Sequence, residues 1–134
     1  VIMHIIANVC SGFSCGQKGL FTASKIAYNE RILDYAGRVI IDSEELDTSS
    51  SYLVPLGDGI DVDAQKTGNE SRFINDYRGT GKPPNVNFER YFSAAGDLRI
   101  GIFSRKKLKR GEELLADYGE EYWETLKKHG VVAT

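Results

Sequence analysis

Two short stretches hold the side chains best suited to chemistry. Gly68-Asn69-Glu70-Ser71-Arg72-Phe73-Ile74-Asn75-Asp76-Tyr77 sets Asn75 just after a short apolar turn. Glu112-Glu113-Leu114-Leu115-Ala116-Asp117-Tyr118-Gly119 sets Tyr118 between an acidic residue and a glycine. An asparagine amide offers a polar ligand both a donor and an acceptor, and it can equally cap a turn. A third stretch, Gly16-Gln17-Lys18-Gly19-Leu20-Phe21, reads as a glycine-bearing turn entering a strand. It lacks the GxGxxG spacing and following helix of a dinucleotide-binding loop, and no Gly-Lys-Ser/Thr follows to make a phosphate loop. Cys10 and Cys15, with only His4 and His129 as further ligands, do not space like a zinc site. Stretches this far apart in the chain act together only in a fold that brings them into contact.

Taken in order, from about Lys18 to Trp123, these segments resemble the signature motifs of the SET domain, the fold of most protein lysine methyltransferases. The family opens with a G-x-G turn before Leu/Phe whose backbone cradles S-adenosyl-L-methionine. Here Gln17-Lys18-Gly19-Leu20-Phe21 occupies that place, with Gln17 for the first glycine and Gly16 beside it. Tyr35-Ala36-Gly37 resembles the family's Y-x-G step, in which the tyrosine lines the lysine channel; by itself a tyrosine ending a strand is a packed aromatic. Tyr52-Leu53 precedes a strand much as a cofactor-contacting tyrosine does in the family. Where the family reads N-H-S-C-x-P-N, this chain has Asn75-Asp76-Tyr77 and a longer loop to Pro84-Asn85. The resemblance gives Asn75 a role in cofactor binding. It gives Asp76, which replaces a histidine, a backbone contact to adenine with its side-chain hydrogen bonds rewired. The motif's cysteine is missing together with its partners in a C-terminal zinc cluster.

Tyr118 in Asp117-Tyr118-Gly119 matches the catalytic tyrosine. Of the aromatic pair Tyr122-Trp123, which can also simply pack a helix, the resemblance assigns Trp123 to adenine. It assigns Tyr122, with Phe88, to the substrate channel. The reaction needs a neutral lysine amine, yet less than about one part in a thousand of free lysine is neutral at pH 7. An aromatic channel beside a sulfonium disfavours the ammonium, and a tyrosine hydroxyl can orient the amine's lone pair. No acid/base dyad or metal is required, which suits a chain with neither. The resemblance thus implies S-adenosylmethionine-dependent methylation of a protein lysine, with histones among the substrates it suggests. Gln17, Asp76 and Tyr77 keep open a catalytically impaired SET-like module that binds cofactor or peptide. A β-rich interaction domain unrelated to SET leaves the motif order unexplained.

The elements that must position these residues are mostly strands. At 134 residues there is room for one core, so residues 1–134 are read as a single domain. The net charge of −2 argues against direct nonspecific nucleic-acid binding and is compatible with a lysine-containing protein or peptide. The run Val1 to Val9 lacks a basic leader and is too short for a bilayer, which gives a buried strand and no membrane role. A start without Met suggests a trimmed or partial chain. Two cysteines only imply a reducing intracellular compartment, nuclear or cytoplasmic. The oligomeric state is not readable from composition.

Ile2 to Ala7, Gly19 to Thr22, Arg31 to Tyr35 and Val39 to Asp42 have strand character, with a left-handed turn at Asn29-Glu30. Asp47 to Ser51 reads as a polar loop. Tyr52 to Leu56 and Ile60 to Asp63 form a hairpin, as do Asn85 to Phe92 and Leu98 to Phe103, the latter turning at Ala94 to Asp97. The basic run Arg105 to Arg110 reads as a solvated turn, and Glu120 to His129 as the one helix. The expected fold is mainly β (α+β). With the resemblance it is a β-clip-like SET fold: small curved sheets, a knot-like C-terminal crossing and a short C-terminal helix.

Overall fold

A computed structural model describes residues 4–10, 15–41, 53–57, 60–63 and 68–119. Among them ten short strands and one 3-10 turn form four small sheets. Strands β1 (His4–Cys10) and β2 (Cys15–Thr22) pair antiparallel, with Ile6 opposite Leu20 and Ala7 opposite Gly19. Strands β4 (Arg38–Ile41), β5 (Leu53–Gly57) and β6 (Ile60–Asp63) make an antiparallel sheet with β6 central. Strands β3 (Arg31–Asp34), β8 (Val86–Phe92) and β9 (Leu98–Ser104) make another around β9. The 3-10 turn Glu70–Phe73 leads into β7 (Asn75–Asp76), which pairs parallel with β10 (Leu115–Ala116).

Local sequence accounts for most of this. The β8–β9 hairpin follows from alternation of apolar and polar residues, and its turn closes where Ser93 N donates to Asp97 O at 2.8 Å. Asn29 has φ 57°, the left-handed conformation that its short amide side chain tolerates. The basic run is an exposed turn anchored by buried Leu108, which exchanges backbone hydrogen bonds with Ile26 at 2.9 and 3.0 Å.

Two expectations change. The first strand extends to Cys10 rather than ending at Ala7. Gly16 to Gly19 is not a turn; it lies inside β2, because β1 supplies partners from Cys10 back to His4 and keeps the backbone extended. The expected helix over 120–129, the loop over 47–51 and the start of the first strand lie outside the described residues.

The core gathers Leu20, Ile26, Ile74, Val86, Ile102 and Leu114, all buried. Leu114 and its neighbour Leu115 are both fully buried. Consecutive side chains on an extended segment point to opposite sides, so apolar packing grips this stretch on both faces at about 2 kcal/mol per leucine. Its edges are gripped as well. On one side Tyr77 N donates to Ala116 O at 2.9 Å; on the other Asn85 N donates to Leu115 O at 2.8 Å. Asn85 adds its side chain, which accepts from Leu115 N and donates to Glu113 O, both at 2.8 Å. Residues 113–116 therefore run between the two ends of the 75–85 segment. This crossing lies where the resemblance expects the knot-like one.

Candidate functional site

The turn before Asn75 is locked first. Asn69 caps it by accepting from Ser71 N at 3.0 Å and from the Ser71 hydroxyl, while its amide donates to Asp34 O at 2.9 Å. Ile74 then goes into the core and Asn75 emerges on β7, 9% exposed. Asn75 Nδ2 uses its protons on two acceptors from distant parts of the chain, Lys18 O and Glu113 Oε2, each at 3.0 Å. The Glu113 carboxylate reaches Asn75 only because Gly19 has no side chain. A Cβ built on Gly19 would lie 2.6 Å from Glu113 Oε2. Gly19 is thus required for close approach rather than for a turn. Lys18 is exposed, with its ammonium 5.7 Å from the centre of the Phe73 ring.

Asp76 points to the opposite side of β7 and is 7% exposed. Its carboxylate accepts three hydrogen bonds. Oδ1 takes Tyr118 N at 2.7 Å and Arg78 Nη1 at 2.9 Å, and Oδ2 takes Arg78 N at 2.9 Å. Arg78 also reaches Asp117 Oδ1 at 3.0 Å, and its guanidinium lies 5.0 Å from the centre of the Tyr77 ring. Burial alone would lower the pKa of Arg78, but Asp76 and Asp117 reverse that and raise it, so the guanidinium stays charged. Asp117 Oδ1 additionally accepts from Gly119 N at 2.9 Å, closing a tight turn in which Gly119 has φ 88°. A side chain at that φ would be strained.

Tyr118 is held at its other end too: its hydroxyl donates to Ile74 O. A hydroxyl that donates there can only accept from a further partner. Its ring packs on the core that also contains Tyr35, and Phe88 packs on that core as well. Tyr35 and Phe88 are themselves stacked, with ring centres 5.4 Å apart at a tilt of 36°. Tyr35 borders a cavity of about 270 Å3 that Asp34, Val62, Leu98 and Ile100 help to line.

The crossing therefore brings Lys18, Gly19, Asn75, Asp76 and Tyr118 together from three separate stretches. Gln17 precedes them in β2, opposite Val9. Leu20 is fully buried, its side chain spent on the core, and its carbonyl accepts from Leu114 N at 2.8 Å. Tyr52, Tyr122 and Trp123 lie outside the described residues. Sequence reading passed over Glu113, Arg78 and Asn85. Glu113 stands in the second motif stretch, where its neighbour Glu112 does only a turn's work, its carboxylate accepting from Lys109 N at 2.8 Å. Asn85 was noticed as the end of a motif, without a task. Among the described residues no group of three His, Cys, Asp or Glu side chains could hold a metal ion, and no helix is long and apolar enough to cross a membrane.

Comparison with known proteins matches residues 17–119 to the SET domain family. The chain is 35% identical over 107 residues to the histone-lysine N-methyltransferase MEDEA of Arabidopsis thaliana, covering 75% of this chain and 15% of that protein. It is 39% identical over 101 residues to the histone-lysine N-methyltransferase EHMT1 of Homo sapiens, covering 69% of this chain and 8% of that protein. With EHMT1 of Mus musculus the identity is 35% over 118 residues, 82% of this chain and 9% of that protein. The chain thus spans a small fraction of the length of each of these relatives.

Proposed function

The chain belongs to the SET domain family, and we propose that it is a protein-lysine N-methyltransferase domain that uses S-adenosylmethionine. The observation that carries this reading is the double anchoring of Tyr118, by Asp76 at its amide and Ile74 at its hydroxyl, one residue to either side of Asn75. We assign cofactor binding to the β2 backbone at Lys18 and Gly19, to Asn75 and to the backbone of Asp76. Tyr52 and Trp123 complete that assignment. The groups on the Asn75 side suit the amino-acid end of this cofactor, because an amide, a backbone carbonyl and a carboxylate gather there in Asn75, Lys18 and Glu113. When bound, the cofactor supplies an electrophilic methyl group on a positively charged sulfur.

The chain's own residues would supply the remainder. Tyr35 and Phe88, with Tyr122, form the aromatic wall of the substrate channel; it strips water from a lysine side chain and so favours the neutral amine. The Tyr118 hydroxyl, committed as a donor to Ile74, accepts an N–H from that amine and fixes the direction of its lone pair. The acceptor is a lysine-bearing protein. Because the relatives are named histone-lysine methyltransferases, a histone acceptor and a nuclear site of action are part of the proposal. Asp76, one of the three signs of an impaired module in the sequence, anchors the tyrosine here, which favours the active reading.

Titration calorimetry with S-adenosylmethionine, followed by labelled methyl transfer to histones and other lysine-containing proteins, tests this reading. Saturable binding and transfer are expected. Binding without transfer to any acceptor would return the impaired module, and no binding would overturn the methyltransferase reading and leave only a peptide-binding module.

A further inference from the structure

Where the family motif carries a histidine, this chain carries a carboxylate, and with it an arginine two residues later. The parallel β7–β10 ladder is two residue pairs long and ends at Asp76 opposite Ala116. Beyond it the Tyr118 amide has left the ladder. Asp76 Oδ1 meets it at 2.7 Å. We propose that Asp76 and Arg78 are positioning residues for Tyr118, a clamp that fixes where its ring leaves the backbone; the functional part of the inference rests on the reading of Tyr118 given above.

Three observations support the assignment. The carboxylate is almost fully buried, and among the described residues its three hydrogen-bond donors come from Arg78 and Tyr118. A buried carboxylate with that partner set is built to hold backbone, and a histidine ring, with one bond per nitrogen, could not serve three donors at once. Arg78 links the carboxylate to Asp117, the residue before the tyrosine, so a single cation spans both segments that flank the site. Finally, the clamp and the Ile74 contact hold Tyr118 at both ends, which leaves its ring little freedom to tilt. A reacting group displaced by about 1 Å can lose on the order of 100-fold in rate, so this restraint matters for turnover and not for cofactor affinity.

The test compares Asp76→Ala, Asp76→Asn and Arg78→Ala with wild type by turnover, cofactor affinity and amide hydrogen exchange. Asp76→Ala is expected to lower kcat by about 10- to 100-fold with cofactor Kd within about 3-fold, and to speed exchange at the Tyr118 amide. Asp76→Asn keeps an acceptor for Tyr118 N and should recover most of the lost kcat and of the protection. Arg78→Ala should fall between them. It keeps the inference testable if Asp76→Ala fails to fold. Wild-type kcat and unchanged Tyr118 exchange in both alanine variants would overturn the clamp. So would a loss of cofactor affinity with kcat preserved, since the Asp76 side chain would then serve the ligand and not the tyrosine. If wild type binds no S-adenosylmethionine the proposed function fails, while Tyr118 exchange still decides whether the clamp exists.

Discussion

Asn75 and Asp76 are neighbours on a two-residue strand, and nearly all their chemistry is opposite. Asn75 is a donor: its amide gives protons to a carbonyl from β2 and to the carboxylate of Glu113. Asp76 is an acceptor: its carboxylate takes protons from a guanidinium and two backbone amides. Each is about equally buried, so burial does not explain why one is neutral and the other charged. Their neighbourhoods do. The Asn75 side already contains the Glu113 carboxylate, which an amide N–H answers and a second carboxylate would repel. The Asp76 side offers Arg78, and hydrogen bonds to charged groups contribute about 1.5–3 kcal/mol against about 1 for neutral ones. The pleat places the two side chains on opposite faces, so one short strand reaches β2 and Glu113 with one residue and the tyrosine's amide with the next. A slip of one residue would exchange the two and destroy both sites.

The division can be broken experimentally. The largest effect is expected from Tyr118→Phe, which keeps the ring and removes the hydroxyl: kcat should fall by about 100-fold or more with little change in cofactor affinity. Labelled methyl transfer measures this, and equal activity would take the hydroxyl out of the mechanism. Asn75→Ala should do the reverse, weakening S-adenosylmethionine binding by about 1–3 kcal/mol, roughly 5- to 150-fold, in a folded protein. Were kcat to fall with Kd unchanged, the two residues would not divide the work as described.

Gly19→Ala probes the Asn75 side without touching it. The new methyl forces the Glu113 carboxylate off Asn75, so cofactor affinity should drop by about 3- to 10-fold, while stability in denaturant titration falls by only about 1 kcal/mol, because the group that yields is the end of a flexible side chain. The alternative outcome, wild-type affinity, would show that Glu113 is not needed to hold the amide. The smallest effect lies away from β7 and serves as a control. Burial, and then a 2.6 Å hydrogen bond to Asp34, raise the Tyr91 phenol above its ordinary pKa of 10.0. The stability this confers is complete below the unfolded pKa and is lost as pH rises through the folded one. Tyr91→Phe should therefore flatten part of the stability decline above about pH 10 while leaving cofactor binding intact. An unchanged alkaline decline would mean that Tyr91 is not its source.

What could be read directly from sequence was whatever depends on near neighbours. The β8–β9 hairpin and the left-handed Asn29 follow from alternation and turn chemistry over a few residues. Asn75 and Tyr118 stood out by residue type and motif order. Gly19 was misread because a glycine that makes room for a distant carboxylate looks, in one dimension, like a glycine in a turn; only Glu113 distinguishes them. Arg78 and Asn85 were passed over for the same reason. Asn85 in particular does the work of a missing strand, its amide standing in for a peptide group against Glu113 and Leu115. Such a role becomes visible only once the crossing exists.

The crossing also orders events in time. Its hydrogen bonds join residues 28 to 44 positions apart, whereas the β8–β9 hairpin closes over a short turn. The entropy of closing long loops must be met before such contacts reward it, so the hairpin should form early and the β10 segment late. Mutations at Asn85 and Leu115 should then speed unfolding while leaving folding rates nearly unchanged, and a slowed folding limb in either would reverse the order. On a ribosome the consequence is sharper. The β8–β9 hairpin can emerge and pair while Asn75 and Asp76 still lack Glu113 and Tyr118, so much of the domain takes shape before the proposed site is complete.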